Sequence, residues 1–339
     1  MVTTPADQTG APEPAISAFE PGTGTPVYRG HPLPHLLGSP FERVWGLLVD
    51  GAPTPGLPPA EPFNLPVRTG DVRVDVMSAL AQLTPVWAYR PLAEIGAQQA
   101  REDLARASVM ALSFVAQSAR GEDVPAVPQR EVDLAATITE RFLVRWRGEA
   151  DPTAVEALNT YWLALAENGL SPSTRTARLA AEEGADAASC LAAAVAVGSG
   201  PSSGGAGARA LALVERAERD GDAAAVVAEH LARHGALPGF GDPHLPEDAR
   251  GQLLRAACVR LGAARLEAAD AVAAAGEEAL RTAGDGAPDG RPRAGALFWG
   301  AVLLDAAGVP ASLHGALYLC GRTAGWSAHV LEVQRALRG

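Results

Sequence analysis

Two arginines and a few short polar side chains are what this chain offers for chemistry. Arg250 and Arg322 each carry a planar guanidinium, the group suited to a bidentate grip on a carboxylate. Ser203 stands in a Gly-rich corner, Gly198-Ser199-Gly200-Pro201-Ser202-Ser203-Gly204-Gly205-Ala206-Gly207. Its hydroxyl donates a hydrogen bond but cannot act as an imidazole does. Asn168 lies in a polar corner, Glu167-Asn168-Gly169-Leu170-Ser171-Pro172, and Asp242 follows the turn Leu237-Pro238-Gly239-Phe240-Gly241. Other chemistries are excluded. Gly204-Gly205-Ala206-Gly207 is not a phosphate loop, because no Lys-Ser/Thr follows it. No Ser/His/Asp order accompanies a nucleophile elbow. Cys190, Cys258 and Cys320 are widely spaced in apolar runs and read as buried thiols, not a disulfide frame or a zinc site. His244 and His329 are not ligand-spaced, and no metal or other cofactor is expected.

The elements that must position these groups read as helices throughout. Apolar residues at 41, 44, 45, 47 and 48 between Ser39-Pro40 and Gly51 predict a capped amphipathic helix. Further helices are predicted over Asp71–Leu83, Pro91–Gly121 and Glu131–Trp146, with another starting at Pro152 and running to Ala166. Ser173-Thr174 open the next, and Ala187–Val197, Ala206–Asp220 and Asp222–His234 follow. Gln252–Ala283 reads as one Ala-rich helix, broken if anywhere near Ala274–Gly276. The segment Ala296–Ala307 is stopped by Gly308-Val309-Pro310, and a last helix carries Arg322. No strand-like alternation of useful length appears, so the fold class is all-α. The Pro-rich segment 52–66 reads as a linker, Ser118–Pro128 as a loop, and residues 1–25 as a mobile arm.

The order of these motifs resembles the citrate synthase family. The polar corner at 167–172 and the Gly-rich corner at 198–207 match that family's two central motifs. A Tyr28-Arg29-Gly30 turn before a Ser-x-Phe-Glu helix is similar to its N-terminus. Leu237–Gly241 resembles its Pro-Gly-Phe-Gly-His loop, and Arg322-Thr323-Ala324-Gly325-Trp326-Ser327-Ala328-His329 its Arg-Thr-x-Gly-Trp-x-Ala-His string. The resemblance runs from about Tyr28 to the C-terminus. It implies a large helical domain (26–203 and 303–339) with an inserted small domain (204–302). It also implies a homodimer, or a heterodimer with a paralogue, and a small carboxylate or acyl-CoA ligand, with a CoA thioester possible as substrate.

The same resemblance shows what has changed. In that family a His of the Gly-rich corner and an Asp of a small-domain helix enolise acetyl-CoA, while further histidines and arginines hold oxaloacetate. Here Ser203 stands at the Gly-corner His, Asn168 at the first-corner His, Asp242 at the loop His and Leu297 at the Asp. Leu297 accepts no proton, and an ionised Asp242 beside a developing alkoxide opposes it. The standard condensation is therefore expected to be lost. The retained positions are Arg250 and Arg322, expected to grip substrate carboxylates from an open cleft, and Leu237, Pro238, Gly239, Phe240 and Gly241, which in the family cradle the adenine end of CoA. Each arginine has a second reading, as one half of a structural ion pair, with Asp248 or Glu247 as the partner of Arg250. The family's cross-subunit arginine has no match before Arg338-Gly339. Two functions follow: a repurposed acyl- or carboxylate-processing enzyme, possible in specialised metabolism, or a non-catalytic ligand binder or inactive partner subunit.

Composition agrees with a helical protein of this kind. Of 339 residues, 47% are hydrophobic but only 5% aromatic, so Ala, Leu and Val must fill the core. All 28 basic residues are Arg, and the net charge of −11 argues against unaided binding to nucleic acid or an anionic membrane. No apolar run reaches the roughly 18 residues of a membrane span, and a cytoplasmic location is expected.

Overall fold

The computed structural model describes residues 15–241, 248–282 and 293–338. A small antiparallel ribbon comes first: β1 (Ser17–Phe19), β2 (Pro26–Tyr28) and β3 (His31–Pro32), with Ser17 opposite Tyr28 and Val27 opposite Pro32. Part of the expected arm is therefore ordered: Ile16 is buried and Ser17–Phe19 is paired. Strands of two and three residues are too short to show a period of two, which is why alternation did not reveal them.

The rest is helical. The elements are α1 (Leu33–Leu36), α2 (Phe41–Asp50), α3 (Val72–Trp87), α4 (Ala97–Arg120), α5 (Gln129–Asp133), α6 (Ile138–Arg147), α7 (Pro152–Leu165) and α8 (Pro172–Glu182). They continue with α9 (Ala187–Gly198), α10 (Gly204–Asp220), α11 (Ala223–His234), α12 (Arg250–Arg260), α13 (Leu266–Thr282), α14 (Ala296–Ala306) and α15 (His314–Arg338). Short polar side chains start many of them by accepting from orphan backbone N–H groups: Asp71, Asp151, Ser171, Asp186 and Asp222. Two predicted helices are each two. Thr137 and Glu140 form a reciprocal capping box inside the segment read as one helix, and it restarts the chain as α6. The Gln252–Ala283 segment breaks after Arg260, earlier than expected. Gly262 adopts φ +65°, and Ala263 N–H bonds back to Cys258 O, closing α12.

Helix α15 is the axis of the molecule. It packs against α2, α4, α7, α8, α9 and α10, and every residue from Ala316 to Leu331 is buried. A helix buried all round needs small residues where neighbours come close. Gly321 lies against Trp162 of α7, and Gly198 of α9 against Trp326, at separations that leave no room for a Cβ without a shift. A second group, α10 to α14, packs among itself: α11 on α13, α12 on α14, and α10 on α11, α13 and α14. The boundary expected at 302/303 falls inside α14, which also contacts α7.

Candidate functional site

Four residues of α15 share one face by helical spacing: Arg322, Gly325, Trp326 and His329. They meet the corner between α7 and α8. Gly325 decides how close that meeting is. A Cβ there would stand 1.9 Å from Glu167 Oε2 and 2.6 Å from Ala166 O, and Gly325 N–H bonds to Ala166 O at 3.1 Å. With no side chain at 325, the Glu167 carboxylate lies directly on α15. Arg322 Nη2 donates to Glu167 Oε2 at 3.2 Å and to Thr174 Oγ1 at 2.7 Å, and Nη1 donates to Leu165 O at 3.4 Å. His329 Nε2 is 3.5 Å from Glu167 Oε1, an ion-pair separation rather than a hydrogen bond. Trp326 Nε1 donates to Ser173 Oγ.

Glu167 and Arg322 are both fully buried. Burial alone would raise the Glu167 carboxyl, but Arg322, His329 and the Asn168 N–H together hold it below its ordinary range. His329 is raised: burial opposes its charge, and Glu167 and Glu332 overcome that. Arg178 Nη1 sits on His329 Nδ1 at 3.2 Å and also pairs with Glu332. Tyr28 caps the cluster from β2. Its hydroxyl lies within 3.3 Å of the carbonyls of Leu163, Ala164 and Glu167, and burial pushes its pKa up to about 12.

Arg250 starts α12 and approaches the same tyrosine; both arginines act electrostatically on Tyr28. Arg250 Nε donates to Asp248 Oδ1 at 2.8 Å and Nη2 to Asp248 Oδ2 at 2.7 Å, and the residue is 3% exposed. Burial would raise Asp248; Arg250 instead holds it low. The structure therefore corrects the expectation of two arginines hydrated in an open cleft. Arg322 is sealed and paired with Glu167, and Arg250 takes its second reading, with Asp248 as partner. A guanidinium in a low-dielectric interior requires such a partner.

The other sequence-predicted residues surround this cluster. Asn168 adjoins Glu167, and its Oδ1 is buried with no hydrogen-bond partner; neither has Arg322 Nε. Ser203 is the N-cap residue of α10 but its side chain caps no N–H. The turn at 237–241 is stitched to the start of α14. Gly295 N–H bonds to Gly239 O at 2.8 Å, Gly241 N–H to Arg293 O at 3.0 Å, and Phe240 stacks edge-on against Phe298 at 5.2 Å. Gly239, at φ +76°, leaves no room for a Cβ beside Phe298 N. Leu297 follows in the first turn of α14, half-buried and packed against the core. Asp242 lies outside the described residues. His314 was not anticipated. It is buried at the start of α15 beside Gly207, with Nε2 3.4 Å from Val309 O and Nδ1 unpartnered. Burial pushes its pKa down, favouring the neutral ring. A lone His before an apolar helix carries no spacing signal that would have marked it. Among the described residues no group of His, Cys, Asp and Glu could hold a metal, and no helix is long and apolar enough to cross a membrane.

The comparisons with known proteins agree with this architecture. The family model for the citrate synthase C-terminal domain matches residues 6–338. The proteins called "Putative citrate synthase 2" of Mycobacterium bovis and Mycobacterium tuberculosis are each 51% identical over 311 residues, 91% of this chain and 83% of theirs. The citrate synthase of Thermoplasma acidophilum, solved as a ternary complex with carboxymethyl coenzyme A and oxaloacetate, superposes with a TM-score of 0.75. It is 20% identical, over 93% of this chain and 88% of that one. That of Pyrobaculum aerophilum gives 0.70 at 20% identity over 100% and 94%. The all-α fold with α15 at its centre is thus a citrate synthase fold, and the chain belongs to the citrate synthase family.

Proposed function

We propose that this protein keeps the citrate synthase frame without the standard condensation, and that its cleft processes a different small carboxylate or acyl-CoA thioester. One observation carries the reading: Leu297 occupies the first turn of α14 beside the 237–241 turn, where the family resemblance requires the carboxylate base. Taking a proton from a thioester methyl needs such a base together with a donor to the enolate oxygen. The name of the 51% identical relatives points toward citrate synthesis instead, so the test is direct. Purified protein with acetyl-CoA and oxaloacetate is expected to release no CoA thiol above background. Turnover within about tenfold of an ordinary citrate synthase, whose kcat falls in the range of 1–10³ s⁻¹ typical of enzymes, would overturn the reading.

The ligand has a chemistry to match. Asn168 Oδ1 offers an acceptor, buried and without a hydrogen-bond partner. A hydroxyl or amide donor on the ligand would satisfy it. Ser203, Asp242 and Asn168 are the polar groups proposed to face substrate, with Arg250 and Arg322 behind them and Leu237–Gly241 at the CoA end. No resident cofactor is invoked. The protein is proposed to work as a homodimer or paired with a paralogue. A ligand-binding protein without catalysis, or an inactive partner subunit, is the second reading. The observation favouring it is that both guanidiniums are already neutralised by Glu167 and Asp248. Turnover of any acyl-CoA on a carboxylate acceptor separates the two.

A further inference from the structure

Away from that cleft, the end of α4, the start of α5 and the last turn of α6 enclose a cavity of about 200 Å³ with the segment around Phe63. Arg68, Arg120 and Arg145 line it, together with Gln117 and Gln129, and no Asp or Glu does. Neutral oxygens aim the three guanidiniums. Arg145 Nη2 donates to Gln129 Oε1 at 2.8 Å, and Arg68 Nη1 to the Gln117 carbonyl at 2.8 Å. Arg120 donates to the carbonyls of Pro125 and Trp146 at 2.7 and 2.9 Å. Carbonyls and amides fix a guanidinium in place but do not neutralise it. Arg145 makes no ion pair among the described residues. Asp133, the acid that acts on it through space, instead accepts from Gln129 Nε2 at 2.8 Å. Among the described residues Arg68 pairs with Glu122 alone, at 4.0 Å, and Glu122 is 73% exposed. Many other arginines in this acidic chain have a close carboxylate, as Arg101 has Asp50 and Arg255 has Asp270. Burial pushes the Arg145 pKa down, and the through-space pull of Asp133 does not offset it.

We propose that this cavity is a binding site for a small multiply charged oxyanion, a phosphate-type or dicarboxylate ligand held by Arg68, Arg120 and Arg145. Three convergent forks match the several acceptor oxygens of such an anion, each able to make charge-assisted bonds. The volume lies below the 300–1,000 Å³ typical of drug-sized ligands, which favours a compact anion or the charged end of a larger one. The glutamines hold the walls: Gln117 Nε2 donates to Phe63 O, and Gln129 Nε2 to Ala60 O, tying the Pro-rich segment over the cavity. None of these residues belongs to the Arg322 cluster, so the site stands or falls independently of the proposed cleft chemistry.

The test is titration calorimetry of the purified full chain with inorganic pyrophosphate and, separately, malonate, at ionic strength matched with sodium chloride. At least one is expected to bind. Preference for pyrophosphate identifies the source as phosphoryl, and for malonate as dicarboxylate. Arg145→Gln and Arg68→Gln should each weaken that binding about ten- to a hundred-fold, the effect of one lost charge-assisted contact. Arg145 is half-buried, so Arg68→Gln serves if the first variant does not fold. No heat from either anion at tens of millimolar overturns the proposal. So does binding that both variants leave unchanged, since the anion would then sit elsewhere.

Discussion

Arg322 and Arg145 are the same residue type on well-packed helices, and they meet opposite fates. Arg322 is sealed, with Glu167 at 3.2 Å and Thr174 at 2.7 Å. Arg145 borders a cavity and, among the described residues, is held by the Gln129 amide oxygen. The first guanidinium is a fixed part of the frame that joins α15 to the α7–α8 corner. The second retains its charge for something outside the chain. A motif match singled out Arg322, and nothing in the sequence singled out Arg145, yet availability to a ligand runs the other way.

The largest expected effect lies at the sealed pair. Arg322→Ala strands a buried Glu167 carboxylate and should cost about 3–5 kcal/mol in urea unfolding. Replacing both partners together, Arg322→Met with Glu167→Leu, should recover most of that loss, because an apolar pair of similar volume needs no partner. A cost under about 1 kcal/mol for Arg322→Ala, the median worth of an exposed pair, would place the guanidinium in solvent and break the contrast. Next is Gly325→Ala, whose Cβ has no room against Glu167 and Ala166. Overpacking of this kind costs about 1–3 kcal/mol, measurable as a lowered Tm.

The pH dependence sharpens the same region. Glu332 is depressed to about 2 by His329, whose ring lies 3.9 Å away, and by Arg178. A depressed carboxyl contributes stability that is present above its ordinary pKa of 4.5 and lost as pH falls toward about 2. His329 is raised above 6.5, so its contribution is present below that value and lost as pH climbs through the higher folded pKa. The groups facing it are Glu167, Glu332, Arg178 and, through Glu167, Arg322. His329→Gln should flatten the alkaline limb of a Tm-against-pH curve and shrink the acid limb, because His329 also helps hold Glu332 and Glu167 low. An unchanged alkaline limb would remove His329 from the pair. The smallest effect is expected at the open cavity. Arg145→Gln deletes one hydrogen bond and an unpaired charge, so unliganded stability should change by no more than about 1.5 kcal/mol. A loss as large as that of Arg322→Ala would make Arg145 scaffold too.

Much of this protein was legible in residue order alone. Short polar caps, Gly51 and the apolar period placed most helices, and ordered local motifs such as Gly325-Trp326 gave the family, because these signals act within a turn or two of the chain. The break after Arg260 was misplaced because a Gly at positive φ ends an Ala-rich run as firmly as a change of composition. The ribbon at β1–β3 left no trace, being too short for a period. Residue order left each arginine's role open: it offered Asp248 or Glu247 to Arg250 and no partner to Arg322. Glu167 and Arg322 are 155 residues apart and pair only because Gly325 lets α15 touch the α7–α8 corner. Arg120 and Arg145 share a cavity only because α4 and α6 pack side by side. Sequence determined which groups the protein owns and which frame it builds. Only the tertiary structure decided which charges are neutralised, because neutralisation depends on distance and burial, and both are set by contacts between segments far apart in the chain.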